Sequence, residues 1–355
     1  MGRIHPTAVL CEANLRRHNT VPPILQRGHE AESSEIETET ETETTTADDT
    51  VDEDSQSQTD MATSRVTYTQ STFPVLLEER GVFGVDEHEV PPAFHQIKPF
   101  LSTSRSDTAD LDITTIVTKA RKAPNEATFF TNAISPIVDL PTVSIDEELA
   151  AVYDAVWIER PLPSRVETIR RLAKPKPDIT VGICVDASKC RAGMDVLPDS
   201  TPVACDPTLG YPCLTIEAKG LQSDTKAIIQ NQHNAAIMLR GLRLLRLAAI
   251  NGTTTLMDFD DRVFVLTATL TKERAGVWAH WTHVNADGQV DYRSHRVEGW
   301  EIHAARITEI ALYLRNAVSF VRDQLQDWVR RDLERVATRV ASQIRAGEPI
   351  AFPDC

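Results

Sequence analysis

The apolar positions of this 355-residue chain fall into three regimes. Up to about residue 75 they have no period. From Glu35 to Thr46 glutamate and threonine alternate with a strand's period of two, but both phases are polar. A strand there has nothing to bury, so the entropy lost on ordering goes uncompensated. Residues 1–75 are therefore expected to form a disordered, solvated acidic tail. The sharper alternative is a decoy that competes with nucleic acid for a basic groove, or a docking segment for a basic partner.

In the second regime, residues 76–140, the pattern is mixed. Phe73 to Leu77 and Phe94 to Leu101 look like short segments that dock onto a later domain, and a polar stretch at 102–110 separates them from the rest of the chain. Leu111 to Lys122 fits either a helix or a strand. The third regime, residues 141–345, is a domain with clear periodicity. Ser144 followed by Asp146, Glu147 and Glu148 suits a helix start. Leu149, Val152, Tyr153 and Val156 then recur at helical spacing. A second helix is expected from near Ser164, with Val166, Ile169 and Leu172 apolar.

Ile179 to Val185 is a β-branched run bounded by prolines 175 and 177, and predicts a strand. Residues 190–212 form an irregular insert rich in Pro, Asp and Gly. Cys213 to Ile216 leads as a second strand into Glu217-Ala218-Lys219. From Ser223 to Ile250 only Gly241 interrupts helix-forming residues, and the apolar positions fit one long helix. Val263 to Leu270 and Val277 to Val284 read as paired strands, and Asp287-Gly288 as a hairpin turn before Val290 to Trp300. An amphipathic helix from about His303 to Arg345, with an interruption allowed, closes the domain. Residues 346–355 are a tail. Helix, strand, strand, long helix, strands and helix in that order predict an α/β (α+β) sandwich.

Charge modifies this picture little. Of the net charge of −15, the thirteen acidic residues between His29 and Asp60 account for nearly all. The remainder is about −2, close to neutral, so charge alone argues neither for nor against nucleic acid. No apolar run of about 18 residues is present, so no membrane span is expected. Nor is there the apolar core of a secretory signal. The six cysteines (11, 184, 190, 205, 213 and 355) lack a disulfide framework or paired zinc-knuckle spacing. An intracellular protein is expected, with nucleus and cytoplasm unresolved.

The chemistry-bearing residues lie on the two central strands. Asp178 starts the first, and Glu217 and Lys219, two apart on the second, share one face of the sheet. Two carboxylates meeting across neighbouring strand ends make a hard oxygen site for Mg²⁺ or Mn²⁺. A lysine beside them can stabilise charge on a phosphate or place a water. Arginines 240, 243 and 246 on the long helix, and 322, 330, 331, 335 and 339 on the last, are expected to form solvated faces. His280 and His283 fall on opposite faces of their strand, where aromatic packing with Trp278 and Trp281 explains the segment better than metal binding. No nucleophile elbow or Gly-rich phosphate loop is present.

Pro177-Asp178, Glu217-Ala218-Lys219 and a following long helix with Gln230 and Gln232 resemble the PD-(D/E)xK nuclease superfamily. The chain is most similar to a fungal PD-(D/E)xK-like family of unknown function, through KPDITVGI, YPCLTIEAKG, IIQNQHNAAIM, VFVLTATLT and NAVSFVRDQLQDW. The resemblance covers roughly residues 140–335. It implies a restriction-endonuclease-like αβββαβ core with appended strands and a long C-terminal helix. Asp178, Glu217 and the Ala218 carbonyl would be ligands of Mg²⁺ or Mn²⁺, and Lys219 the catalytic lysine. Gln232 would assist, with Gln230 as fallback. An acid from the first helix would join them: Glu167 by order, or else Glu148 or Glu159. The implied function is metal-dependent hydrolysis of nucleic-acid phosphodiesters. The alternative is a catalytically silent nuclease-fold protein that serves as an interaction module.

Overall fold

A strand covered on both faces needs apolar residues in both phases, and the stretch ending in CLTIEAK supplies them. In the computed structural model it lies within a seven-stranded sheet, with every residue of Leu209–Lys219 buried. The structure describes residues 65–140, 149–157, 162–166, 170–184, 193–194, 196–197, 209–219, 224–250, 256–350 and 352. All of them fall in the unit Arg65–Cys355.

The strands among these residues are β1 (Arg65–Val66), β2 (Val82–Gly84), β3 (Leu149–Tyr153), β4 (Arg171–Leu172), β5 (Ile179–Cys184), β6 (Leu209–Lys219), β7 (Val265–Thr271), β8 (Arg274–Val284) and β9 (Val290–Glu301). The main sheet runs β2-β9-β8-β7-β6-β5-β3, while β1 and β4 pair separately. Within the main sheet, β6–β7 and β2–β9 are parallel and the other pairs antiparallel. The helices are α1 (Phe73–Glu78), α2 (Ile97–Leu101), α3 (Ile113–Lys122), α4 (Glu126–Phe129), α5 (Ser135–Val138), α6 (Asp224–Ile250), α7 (Ala304–Phe320) and α8 (Gln326–Ala346). One π turn, Phe130–Ile134, joins α4 to α5, and another, Val321–Leu325, joins α7 to α8. The long C-terminal helix is therefore continuous, with its irregularity taken up in a π turn.

This is a mixed α/β protein, as the periodicity predicts. The parallel pair β6–β7 needs a crossover, and α6 provides it, packing on both strands. Most of α6 is buried, and its apolar residues surround the helix instead of forming one stripe. On its outer side lies α8, while α7 packs against α2, α3, α5, β8 and β9. Residues 73–140 do more than dock: Phe73, Leu101, Phe129 and Ile134 are fully buried in the common core, and β2 extends the sheet. Leu111 to Lys122 resolves as helix α3, capped by Asp112. No helix among the described residues is long and apolar enough to cross a membrane.

Two helices expected from the sequence are absent among the described residues. Residues 149–153 form strand β3, whose five residues pair in register with β5. Their helical spacing loses to a tertiary partner that satisfies the backbone along its whole length. Residues 162–166 adopt no regular element, and Leu172 lies instead in β4, paired with β1. Residues 141–148 and 167–169 lie outside the described residues.

Pro212 sits inside β6, where proline is normally excluded. The β5–β6 register shifts around Gly182 opposite Pro212, and Tyr211 adopts φ 44°. This bulge accommodates the missing N–H. It also requires glycine at 182, because a Cβ there would meet Gly210 O and Pro212 Cα at 2.8 Å.

Candidate functional site

The last registered pair between β5 and β6 is Ile179 with Ile216, so β6 runs on for three residues past its partner. Among the described residues, the backbone groups of β6 there face no strand on the β5 side. Asp178 lies just before β5 and fills the gap: its Oδ2 accepts from the Ala218 N–H at 2.6 Å. A strand residue's N–H and C=O share one edge, so the Ala218 carbonyl lies on the same edge as Asp178.

Glu217 and Lys219 lie on the β6 face that meets α6. Glu217 Oε1 accepts from Asn234 Nδ2 at 2.9 Å, and one turn earlier Asn231 donates to Ala268 O and pairs with the Thr215 hydroxyl. Lys219 Nζ stands 3.1 Å from Asp178 Oδ2, 3.1 Å from Glu217 Oε2 and 3.3 Å from Glu126 Oε1. Side-chain exposure rises across the cluster, from 1% at Glu217 and 7% at Lys219 to 16% at Asp178 and 42% at Glu126. The site is closed on the α6 side and open beside α4.

One ammonium faces three carboxylates, an excess of two negative charges when all are ionised. The titrations reflect this. Burial raises the Glu217 carboxyl to about 7; Lys219 and Asn234 oppose the rise and the Asp178 charge adds to it. Asp178 is also raised by burial, against the pull of Lys219 and the Ala218 N–H. Burial alone would lower Lys219, but Glu217, Asp178 and Glu126 outweigh it and hold the ammonium above its ordinary range. Although 3.1 Å from the ammonium, Glu217 Oε2 has no aligned hydrogen-bond partner.

Asp178, Glu217 and Lys219 thus come together as the spacing predicts, with the Ala218 backbone beside Asp178. Gln232 does not join them. Its Nε2 donates to Ser294 Oγ on β9 at 3.2 Å, in a cavity shared with Gly84 and Trp278. At about 100° per residue, positions 232 and 234 point roughly 200° apart, so a helix that turns Asn234 to Glu217 turns Gln232 away. Gln230, one turn before Asn234 on the same face, is buried, and its Oε1 lacks a partner. Glu148, Glu159 and Glu167 lie outside the described residues.

The helical acid that the structure supplies is Glu126, which the sequence pattern does not single out, any more than it does Asn234. A signal for Glu126 is nonetheless present. Asn125 caps α4 through Oδ1, which accepts from the Thr128 N–H at 2.8 Å, and Asn-Glu before an apolar pair is a helix start.

Other features have structural roles. Arg243 pairs with Asp260, and Arg246 with Asp258 and Asp332, so these arginines staple α6 to its surroundings instead of forming a solvated face. On the last helix, Arg322, Arg330 and Arg335 pair with Asp323, Asp327 and Asp332. His280 is buried against Thr267 Oγ1 at 2.8 Å and pushed down to about 3 by burial, while His283 meets Asp261 on the other face. Cys184 and Cys213 are free thiols; the other four cysteines lie outside the described residues. Among the described residues no group of three or more His, Cys, Asp and Glu side chains is arranged to hold a metal ion.

Tyr68 adjoins this region through α6. Its hydroxyl pairs with His233 Nδ1 at 2.9 Å, and burial together with the Glu217 charge raises its pKa. Tyr68 also lines a 570 Å³ cavity with Gln70, Pro74, Thr225 and Lys226 at the start of α6. No curated protein matches the sequence. A family model does match, across residues 121–340, a span that contains both Glu126 and the β5–β6–α6 cluster. The chain belongs to the family described as a domain of unknown function (DUF7924).

Proposed function

We propose that the chain is a metal-dependent, nuclease-like protein that hydrolyses nucleic-acid phosphodiesters at the Asp178–Glu217–Lys219 cluster. One observation carries this reading: a carboxylate just before β5 and another on the neighbouring β6 meet one ammonium at 3.1 Å, at the open end of a sheet. The element order from Glu126 supports it. Apart from the two-residue β4, that order is helix, β3, β5, β6, α6, β7, which resembles the αβββαβ core of PD-(D/E)xK nucleases.

The residues present suit Mg²⁺ or Mn²⁺. The donors are hard oxygens, Glu217 Oε2 lacks an aligned partner, and the cluster carries two surplus negative charges. Asp178, Glu217 and the Ala218 carbonyl would hold the ion. Two carboxylates are enough for a cation that keeps several waters and binds substrate phosphate. Such an ion supplies Lewis acidity and lowers the pKa of a bound water. Lys219, held above its ordinary pKa, stays cationic at neutral pH and can neutralise a phosphate oxygen. Asn234 orients Glu217 by holding Oε1. Glu126, the most exposed carboxylate, is placed to meet solvent and substrate.

A second reading is favoured by the same ammonium. Lys219 already bridges three carboxylates, so the cluster is also consistent with a silent nuclease fold used as an interaction module. Hydrolysis of labelled DNA and RNA with Mg²⁺ or Mn²⁺ separates the two. The enzyme reading expects activity that falls at least about a hundredfold in both Asp178→Ala and Lys219→Ala. Equal traces, or none, in all three proteins would leave only the silent reading.

A further inference from the structure

At the far end of β6 from the carboxylate cluster, α6, α8 and the segment before β7 enclose a cavity of 230 Å³. Four arginines line it, at 246, 262, 331 and 335, with two aspartates, 258 and 332. An ordinary ion-pair staple would balance its charges. Here Asp332 Oδ1 takes both Arg246, at 2.8 Å, and Arg335, at 3.1 Å, while Asp258 takes Arg246 again. Among the described residues, Arg331 engages only a backbone carbonyl, that of Asp327, through Nε. The Arg262 guanidinium has no hydrogen-bond or ion-pair partner among the described residues. The buried Nε of Arg246 lacks a partner as well.

Among the described residues, four cations against two anions leave two positive charges in one recess. Its apolar wall is the Trp328 indole, fixed against Phe259 and Phe264 with centroids 5.5 and 4.9 Å away. A phosphate monoester carries close to two negative charges near neutral pH and presents three acceptor oxygens. Guanidinium forks match such oxygens in geometry as well as charge. A carboxylate would neutralise only half of the excess. The cavity is smaller than the usual range for whole drug-sized ligands, so it suits a single small group.

We propose that this recess is a binding site for a phosphate monoester. It is separate from the carboxylate cluster: Arg262 lies just before β7, whose Leu266 pairs with Leu214 towards the start of β6, whereas the cluster occupies residues 217–219. Arg246 stands twelve residues beyond Asn234 on α6, roughly 18 Å along the helix at about 1.5 Å per residue. The site does not depend on nuclease activity.

Calorimetric titration of the full chain with orthophosphate tests the proposal, with chloride at matched ionic strength as control. Saturable binding is expected, weakened about tenfold or more by Arg262→Ala and again by Arg331→Ala. Both side chains are exposed, so the thermal midpoint without ligand should not move. Two further arms identify the source: a nucleoside 5′-monophosphate, and matched oligonucleotides with a 5′-phosphate or a 5′-hydroxyl. A preference for the phosphorylated oligonucleotide points to strand ends, and equal binding of the small esters to free metabolites; either supports the site. Absence of saturable binding, affinity unchanged in the double variant, or an equal effect of chloride would overturn it.

Discussion

Glu217→Gln removes a charge from a position that is almost wholly buried, and its effect should depend on pH in a defined direction. Burial raises the wild-type carboxyl from an ordinary 4.5 to about 7. Between those two values the folded chain holds a proton that the unfolded chain has released. Stability therefore falls as pH rises through this window and stays low above it. Glutamine cannot titrate, so subtracting the two proteins' unfolding free energies cancels every other group in first order. Between about pH 5 and about pH 8 the wild type should lose roughly 2 to 3 kcal/mol relative to the variant. The pH-independent cost of placing an amide beside Lys219 shifts both ends equally and leaves this difference intact. Urea unfolding at a series of pH values measures it. Parallel curves would refute the reasoning, and a wild type that gains on the variant as pH rises would show that Lys219 and Asn234 outweigh burial.

Asn234→Ala leaves Glu217 Oε1 without its donor, and should destabilise the chain by about 1–3 kcal/mol near pH 8, less near pH 5 where the carboxyl is protonated. Urea unfolding at the two pH values checks both parts. Arg315, only 1% exposed, donates to the carbonyls of Ile137, Pro136 and Asp107 and approaches the carboxylates of Asp107 and Asp139. Arg315→Met should cost about 3–5 kcal/mol in the same assay, because it strands buried acceptors. Gly182→Ala forces a Cβ against the backbone of the β6 bulge and should cost about 1–3 kcal/mol, readable as a lower thermal midpoint.

The core is legible in the sequence where local pattern and tertiary fate agree. The run from Cys213 to Lys219 alternates an apolar phase of Leu214, Ile216 and Ala218 with one that ends in Glu217 and Lys219, so the strand and the shared face of the two charged residues follow from it. The long helix α6 announces itself through the near absence of Gly and Pro. Residues 149–153 mislead because five residues spaced like a helix carry less information than the strand waiting beside them. Gln232 has suitable chemistry, but the rotation of α6 is not readable until a contact fixes it. Once Asn234 meets Glu217, position 232 must face β9. Glu126 escapes a local reading for a different reason: it enters the cluster across 93 residues of chain from Lys219, a long-range contact that no local period encodes. Its own helix start is nonetheless visible in Asn125.

The most direct test of the account is whether the cluster seats one divalent cation. Titration of the full chain with Mn²⁺, followed by calorimetry and by the loss of the free-ion paramagnetic signal, should reveal one site per chain. Binding should vanish in Asp178→Asn and in Glu217→Gln and persist in Gln232→Ala. A wild-type chain that takes up no Mn²⁺, or variants that bind it as the wild type does, would contradict the claim that these carboxylates form a cation site.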